Sequence, residues 1–288
     1  MTEAKAMILL NDRFIEREDA IIDIEDRGYQ FGDGVYEVIR VYNGVCFLMK
    51  PHMERLERSA ASIELALPDT IEKITGNLME LVRKDGINNG SIYVQVTRGS
   101  AIRAHQFPEN ASSVLVAYTN VAERPMDKIN HGIHTILTDD IRWLRCDIKS
   151  LNLLGNVLAK QKAKKHGCDE AILHRGETVS EGSSSNVYIV KDNTVFTHPV
   201  NNLILNGITR MEVLRLAKEN GCEIKEEVFS VGQLLDADEA FITSTTMEIT
   251  PVIKINDTTI GKGVPGAVTK ELQKAFEESI KENCYQSV

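Results

Sequence analysis

At 288 residues the chain has room for about two domains of ~150 residues, and its 42% hydrophobic and 26% charged residues exclude a peptide or a largely disordered protein. Lys+Arg 33 against Asp+Glu 42 leaves a formal net charge of −9 with no polybasic run, which disfavours an electrostatic grip on nucleic acid or on an anionic membrane. Residues 6–10 are too short an apolar run for a leader, and no span of ~20 apolar residues follows, so a soluble, unsecreted, cytoplasmic protein is expected.

In chain order, residues 35–42 alternate as a strand, Asn43-Gly44 supplies a two-residue turn with positive φ, and residues 45–49 return as a second strand. Pro51 opens a helical pattern through about Leu65, and Asp69-Thr70 starts another that ends near Gly86. Strands are predicted over residues 91–98 and 113–119. The polar, punctuated stretch between them, residues 99–108, is too long for a tight turn and predicts a functional loop.

After Thr119 the run over residues 120–130 lacks an apolar period and reads as a linker. The remainder alternates strands over 133–138, 170–174, 187–190 and 240–243 with helices over 154–166, 209–220 and 267–283. The expected organisation is an N-terminal α/β domain over 1–122, an interdomain linker over 123–130 and a C-terminal α/β domain over 131–288. No period of 20 to 50 residues recurs, which excludes a solenoid.

The five cysteines are odd in number, scattered and never in a C-x-x-C spacing, which argues against a disulfide framework or a zinc site. His131 and His134 sit three apart without a Cys, Asp or Glu nearby to complete a ligand set, so no metal is expected.

Several segments carry groups capable of chemistry. Lys149 precedes a helix among Ile148, Leu151, Leu153 and Leu154, surroundings in which an amine can reach the neutral form that attacks an aldehyde; the same pattern also fits a snorkelling lysine. Glu181 lies among small hydroxyl residues ahead of a strand, where it can bind a protonated ring nitrogen or simply belong to a polar turn.

Gly207, Ile208 and Thr209 open a helix whose first amides suit an anion, and residues 243–246 place four hydroxyls at a strand end. Their plainer readings are a helix cap and a polar strand terminus. Arg55, early in a helix, can fork onto a phosphate or pair within the helix with Glu54 or Glu57. Arg103 and His105 on the loop, with Tyr36 on the hairpin, can bind a substrate carboxylate, or be a basic loop and a half-buried tyrosine.

Together these segments resemble one family. The run Glu25-Asp26-Arg27-Gly28-Tyr29-Gln30-Phe31-Gly32-Asp33-Gly34-Val35-Tyr36-Glu37, the stretch from Thr97-Arg98-Gly99 to Phe107-Pro108, the Lys149, Glu181 and Gly207-Ile208-Thr209 segments, and residues 243–251 are similar to pyridoxal-phosphate aminotransferases of the branched-chain and D-amino-acid type, fold type IV. The resemblance spans nearly the whole chain. It implies a two-domain mixed α/β fold with a C-terminal pseudo-barrel, pyridoxal 5'-phosphate held between the domains, and a homodimer.

By resemblance, Lys149 matches the Schiff-base lysine and Glu181 the residue facing the pyridine nitrogen. Arg55, Ile208, Thr209, Ser244 and Thr245 match positions that hold the cofactor phosphate. Tyr36, Arg103 and His105 match a carboxylate trap whose loop pair is usually supplied by the neighbouring subunit. The activity implied is ping-pong transfer of the amino group of a D-amino acid to 2-oxoglutarate, with Arg103 and His105 setting D-selectivity.

Met247, the short stretch 110–113 and the long start over residues 1–7 depart from the pattern without touching those positions. A lyase on the same fold is disfavoured by Arg103 and His105. A non-catalytic vitamin-B6 carrier is disfavoured by Lys149 with Glu181.

Overall fold

A computed structural model describes residues 6–285; the expectation about the start of the chain falls largely on residues 1–5, outside the described residues. The chain divides into two compact units, residues 1–123 with 148–152 and 282–288, and residues 124–147 with 153–281. Both mix helix and strand.

The first unit contains β1 (Met7–Leu10), β2 (Arg13–Glu16), α1 (Arg27–Phe31), β3 (Gly34–Tyr42), β4 (Val45–Cys46), α2 (Met49–Ser62), α3 (Ile71–Asp85), β5 (Gly90–Thr97) and β6 (Val114–Val121). Its sheet runs β2-β1-β6-β5-β3-β4, antiparallel throughout. Asn43 and Gly44 take φ values of 51° and 75°, the conformation a tight two-residue hairpin requires.

The returning strand is shorter than the expected 45–49. It ends at Cys46 because Leu48 turns left-handed at φ 52° and delivers the chain into α2. α3 is bounded as its sequence predicts: the Thr70 hydroxyl accepts from Lys73 N, and Gly86 closes the helix at φ 62°. α2 buries Met53 and Leu56, and α3 buries Ile74, Leu78 and Leu81, in one core with Ile39, Ile92 and Val94 of the sheet. Each such side chain contributes about 1.5–3 kcal/mol of burial energy.

Residues 148–152, expected in the second half, belong with this unit. Tyr36 N donates to Lys149 O at 3.0 Å and Leu151 N to Gly34 O at 3.0 Å, so the segment lies along the start of β3. Gly34 permits that approach: a Cβ there would meet Val96 O at 2.6 Å and Leu151 Cδ1 at 2.8 Å.

The second unit contains α4 (Met126–His131), β7 (Ile133–Asp139), α5 (Leu154–Lys165), β8 (Glu170–Arg175), β9 (Thr178–Gly182), β10 (Asn186–Lys191), β11 (Thr194–Thr197), α6 (Ile208–Glu219), β12 (Ile224–Glu226), α7 (Val231–Leu235), β13 (Glu239–Ser244), β14 (Glu248–Ile255) and β15 (Thr258–Thr259), with most of α8 (Ala267–Cys284). The stretch read as a linker is in part helical. α4 occupies it and buries Ile129, one apolar contact in a helix too short to show a period.

The sheet follows the order β12-β11-β10-β13-β14-β7-β8-β9, with β15 pairing β14. Five strand spacings of ~4.8 Å separate β9 from β10 along this path, roughly 24 Å if flat. Only residues 183–185 join the two strands, and four Cα steps span at most about 14 Å. The sheet therefore curls until its β9 end nears β10, the geometry of a nearly closed barrel.

Among the described residues no helix is long and apolar enough to cross a membrane, and no group of three or more His, Cys, Asp or Glu could hold a metal ion.

Candidate active site

In the first unit, the Lys149 ammonium lies 4.2 Å from the centroid of the Tyr36 ring. Its backbone is fixed from two sides, by β3 through Lys149 O and by α2, where Lys149 N is 3.2 Å from the Ser59 hydroxyl. Tyr36 stacks on Tyr93 at 5.7 Å, and Tyr93 on Tyr118 at 5.2 Å, an aromatic row across β3, β5 and β6.

Arg55 pairs with Glu37 of β3. Its Nε donates to Glu37 Oε1 at 2.6 Å and its Nη2 to Glu37 Oε2 at 2.9 Å, while His52 Nδ1 lies 2.8 Å from Oε2. Glu37 is wholly buried. Burial would raise its pKa, but the Arg55 guanidinium and His52 overcome that and hold the carboxyl well below the usual range. Burial also lowers the pKa of His52 against the pull of Glu37. Neither Glu37 nor His52 stood out in the sequence, since a strand-to-helix pairing leaves no spacing signal.

The loop over residues 99–108 is held by α1. Arg27, buried itself, donates from Nη1 to Ala104 O at 2.7 Å and from Nη2 to His105 O at 3.4 Å, and from Nε to Asp33 at 2.8 Å. Arg98 donates to the same Asp33 oxygen at 2.8 Å and covers the Phe107 ring. Arg103 and His105 are exposed and gather on Phe31. Tyr36, by contrast, stands with Lys149 and Tyr93.

In the second unit, Glu181 is buried at the end of β9 and accepts three hydrogen bonds: Arg142 Nη1 at 2.5 Å, Asn186 Nδ2 at 3.1 Å and Leu205 N at 3.0 Å. Burial raises its carboxyl to about 7, opposed by the Arg142 charge and these hydrogen bonds. Arg142 is held in turn by Asp140, which also accepts from Arg175 and Ser180. Burial would raise the Asp140 pKa, yet the Arg142 contacts hold it below its ordinary value. Sequence inspection missed Asp140 and Arg142; the only hint was an acid and a base two residues apart.

Asn186 ties Glu181 to the start of α6. Its Nδ2 also donates to Leu205 O at 2.8 Å, and a Cβ on Gly207 would lie 2.2 Å from its Oδ1. No side chain caps α6, so the first-turn amides at Ile208 and Thr209 are available to an anion. Asn186 pairs across the sheet with Thr243, which places the half-buried Ser244 and Thr245 at the same end of β13. Ser244 Oγ accepts from Met247 N at 3.1 Å and shapes that turn.

This donor set fits a phosphorylated, nitrogen-containing ring: uncapped helix amides beside hydroxyls for the phosphate, and a buried acid whose charge Arg142 favours for a ring N–H. The amino-transferase class IV family profile matches residues 34–255. A D-alanine aminotransferase of Bacillus licheniformis is 51% identical over 273 residues, 95% of this chain and 96% of that protein.

Among solved structures, the branched-chain amino acid aminotransferase of Escherichia coli superposes with a TM-score of 0.91 at 28% identity, covering 96% of this chain and 94% of that one. A T.th. branched-chain amino acid aminotransferase, solved with pyridoxamine 5'-phosphate, gives 0.90 at 27% identity over 97% and 95%. The chain belongs to the class IV aminotransferase family, and its fold is type IV.

Proposed function

We propose that this aminotransferase moves the amino group of a D-amino acid, D-alanine among them, to 2-oxoglutarate by a ping-pong cycle, yielding a 2-oxo acid and D-glutamate. Its cofactor is pyridoxal 5'-phosphate. The reading rests above all on the buried Glu181, held by Arg142, Asn186 and Leu205, in a chain 51% identical to a D-alanine aminotransferase. A homodimer acting in the cytoplasm completes the proposal, in line with five free cysteines.

When bound, the cofactor supplies an aldehyde carbon for the amino group and a ring that withdraws electrons from Cα. Glu181, kept toward its charged form by Arg142, holds the proton on the ring nitrogen. The amides of Ile208 and Thr209, the hydroxyls of Ser244 and Thr245, and Arg55 hold the phosphate. Lys149 would anchor the aldehyde carbon, and its amine, once freed, would be the group that takes the Cα proton and gives it to the former aldehyde carbon. Tyr36, with Arg103 and His105 supplied by the neighbouring subunit of the homodimer, binds the substrate carboxylate, which fixes the hand of the amino acid presented to Lys149.

The test is to mix loaded protein with D-alanine and separately with L-alanine while following the visible absorbance. Bleaching with the D isomer alone is expected. Bleaching with L-alanine alone would overturn the assigned handedness, and no response to either would overturn the substrate.

A further inference from the structure

The ring of Phe31, the last residue of α1, collects three charged or titratable side chains. The Arg27 guanidinium lies 4.7 Å from its centroid and that of Arg103 lies 4.8 Å away, while the His105 ring meets it edge-on at 5.8 Å and 62°. Arg27 is buried and reaches past the ring to the loop backbone, donating to Ala104 O and His105 O, the two carbonyls that follow Arg103. Asp33 holds the Nε of Arg27 at 2.8 Å and takes a second bond from Arg98, so the clamp is itself fixed.

We propose that Phe31 and Arg27 are positioning residues for substrate selection: the ring orders the Arg103 and His105 side chains while Arg27 fixes the backbone between them. An exposed arginine samples many rotamers, and freezing it on a carboxylate costs side-chain entropy at the moment of binding. An aromatic face that already holds the guanidinium removes part of that cost in the free protein. Two side chains ordered by one ring also keep a fixed mutual spacing, so both oxygens of a substrate carboxylate can meet their donors at once.

The inference rests on the reading of Arg103 and His105 as carboxylate-binding residues, and the experiment separates the two. Steady-state kinetics of the loaded enzyme are measured for Phe31→Leu, Phe31→Tyr, Arg103→Leu and the double variant Phe31→Leu with Arg103→Leu, with competitive inhibition by propionate as a readout free of turnover. Phe31→Leu is expected to raise KM and the propionate Ki on the order of fivefold, with kcat within about twofold. Phe31→Tyr, which keeps the ring, restores both constants. In the Arg103→Leu background, Phe31→Leu adds little, because the partner it orders is gone.

If Arg103→Leu leaves KM unchanged, the carboxylate reading itself fails. If Arg103→Leu raises KM but Phe31→Leu does not, or if the two effects multiply independently, the positioning role is overturned. A fall in kcat without a change in KM or Ki for Phe31→Leu also overturns it, since that is the mark of general structural damage.

Discussion

Arg142 donates from Nη1 to Glu181 Oε1 at 2.5 Å while its Nε and Nη2 grip both oxygens of Asp140 at 2.9 Å. One buried cation thus serves two buried acids, and the three stand or fall together. Replacing Arg142 by Met would leave both carboxylates without their main counter-charge. The expected loss is about 3–5 kcal/mol in a denaturant titration, with Arg142→Lys recovering part of it. A midpoint within experimental error of the parent would show that neither acid depends on Arg142.

Because burial raises Glu181 to about 7 from an ordinary value of 4.5, the folded protein without cofactor retains a proton there at pH values where the unfolded chain has released it. A raised folded pKa contributes stability that is full below about 4.5 and is lost as pH climbs through about 7. The span amounts to about 3 kcal/mol. Buried His52 and His198, both lowered by burial, slope the opposite way below their usual value, so the comparison of wild type with Glu181→Gln isolates the carboxyl. The difference between the two stability curves from pH 5 to 8 should shrink or vanish if Glu181 titrates elsewhere.

Lys149 is half-buried, and its two backbone bonds, to Tyr36 N and the Ser59 hydroxyl, survive removal of the side chain. Lys149→Ala should therefore fold with near-native melting behaviour yet lose transamination by on the order of 10³-fold or more. Borohydride treatment of the loaded parent followed by peptide mapping should label the peptide that contains Lys149. Wild-type turnover in the variant would remove the lysine from the chemistry.

A methyl group at position 34 has no room, with Val96 O at 2.6 Å and Leu151 Cδ1 at 2.8 Å from where it would stand. Gly34→Ala should push the 148–152 segment off β3 at a cost of about 1–3 kcal/mol and displace Lys149 with it. A crystal structure of the variant with residues 148–152 unmoved would contradict this.

Local signals in the chain determined much of this protein. The Asn43-Gly44 turn and the Thr70 and Gly86 helix ends are written in neighbouring residues, because turns and caps depend on nearest-neighbour geometry. The type IV family was also legible, since its motifs are contiguous. What only the tertiary structure decided lies in contacts between distant parts: Glu37 as the partner of Arg55, Arg142 between Asp140 and Glu181, and Arg27 and Phe31 behind the 99–108 loop. It also moved residues 148–152 to the first unit and curled the second sheet. The physical reason is that a buried charge must find a partner wherever the fold supplies one, and that choice leaves no periodic trace along the chain.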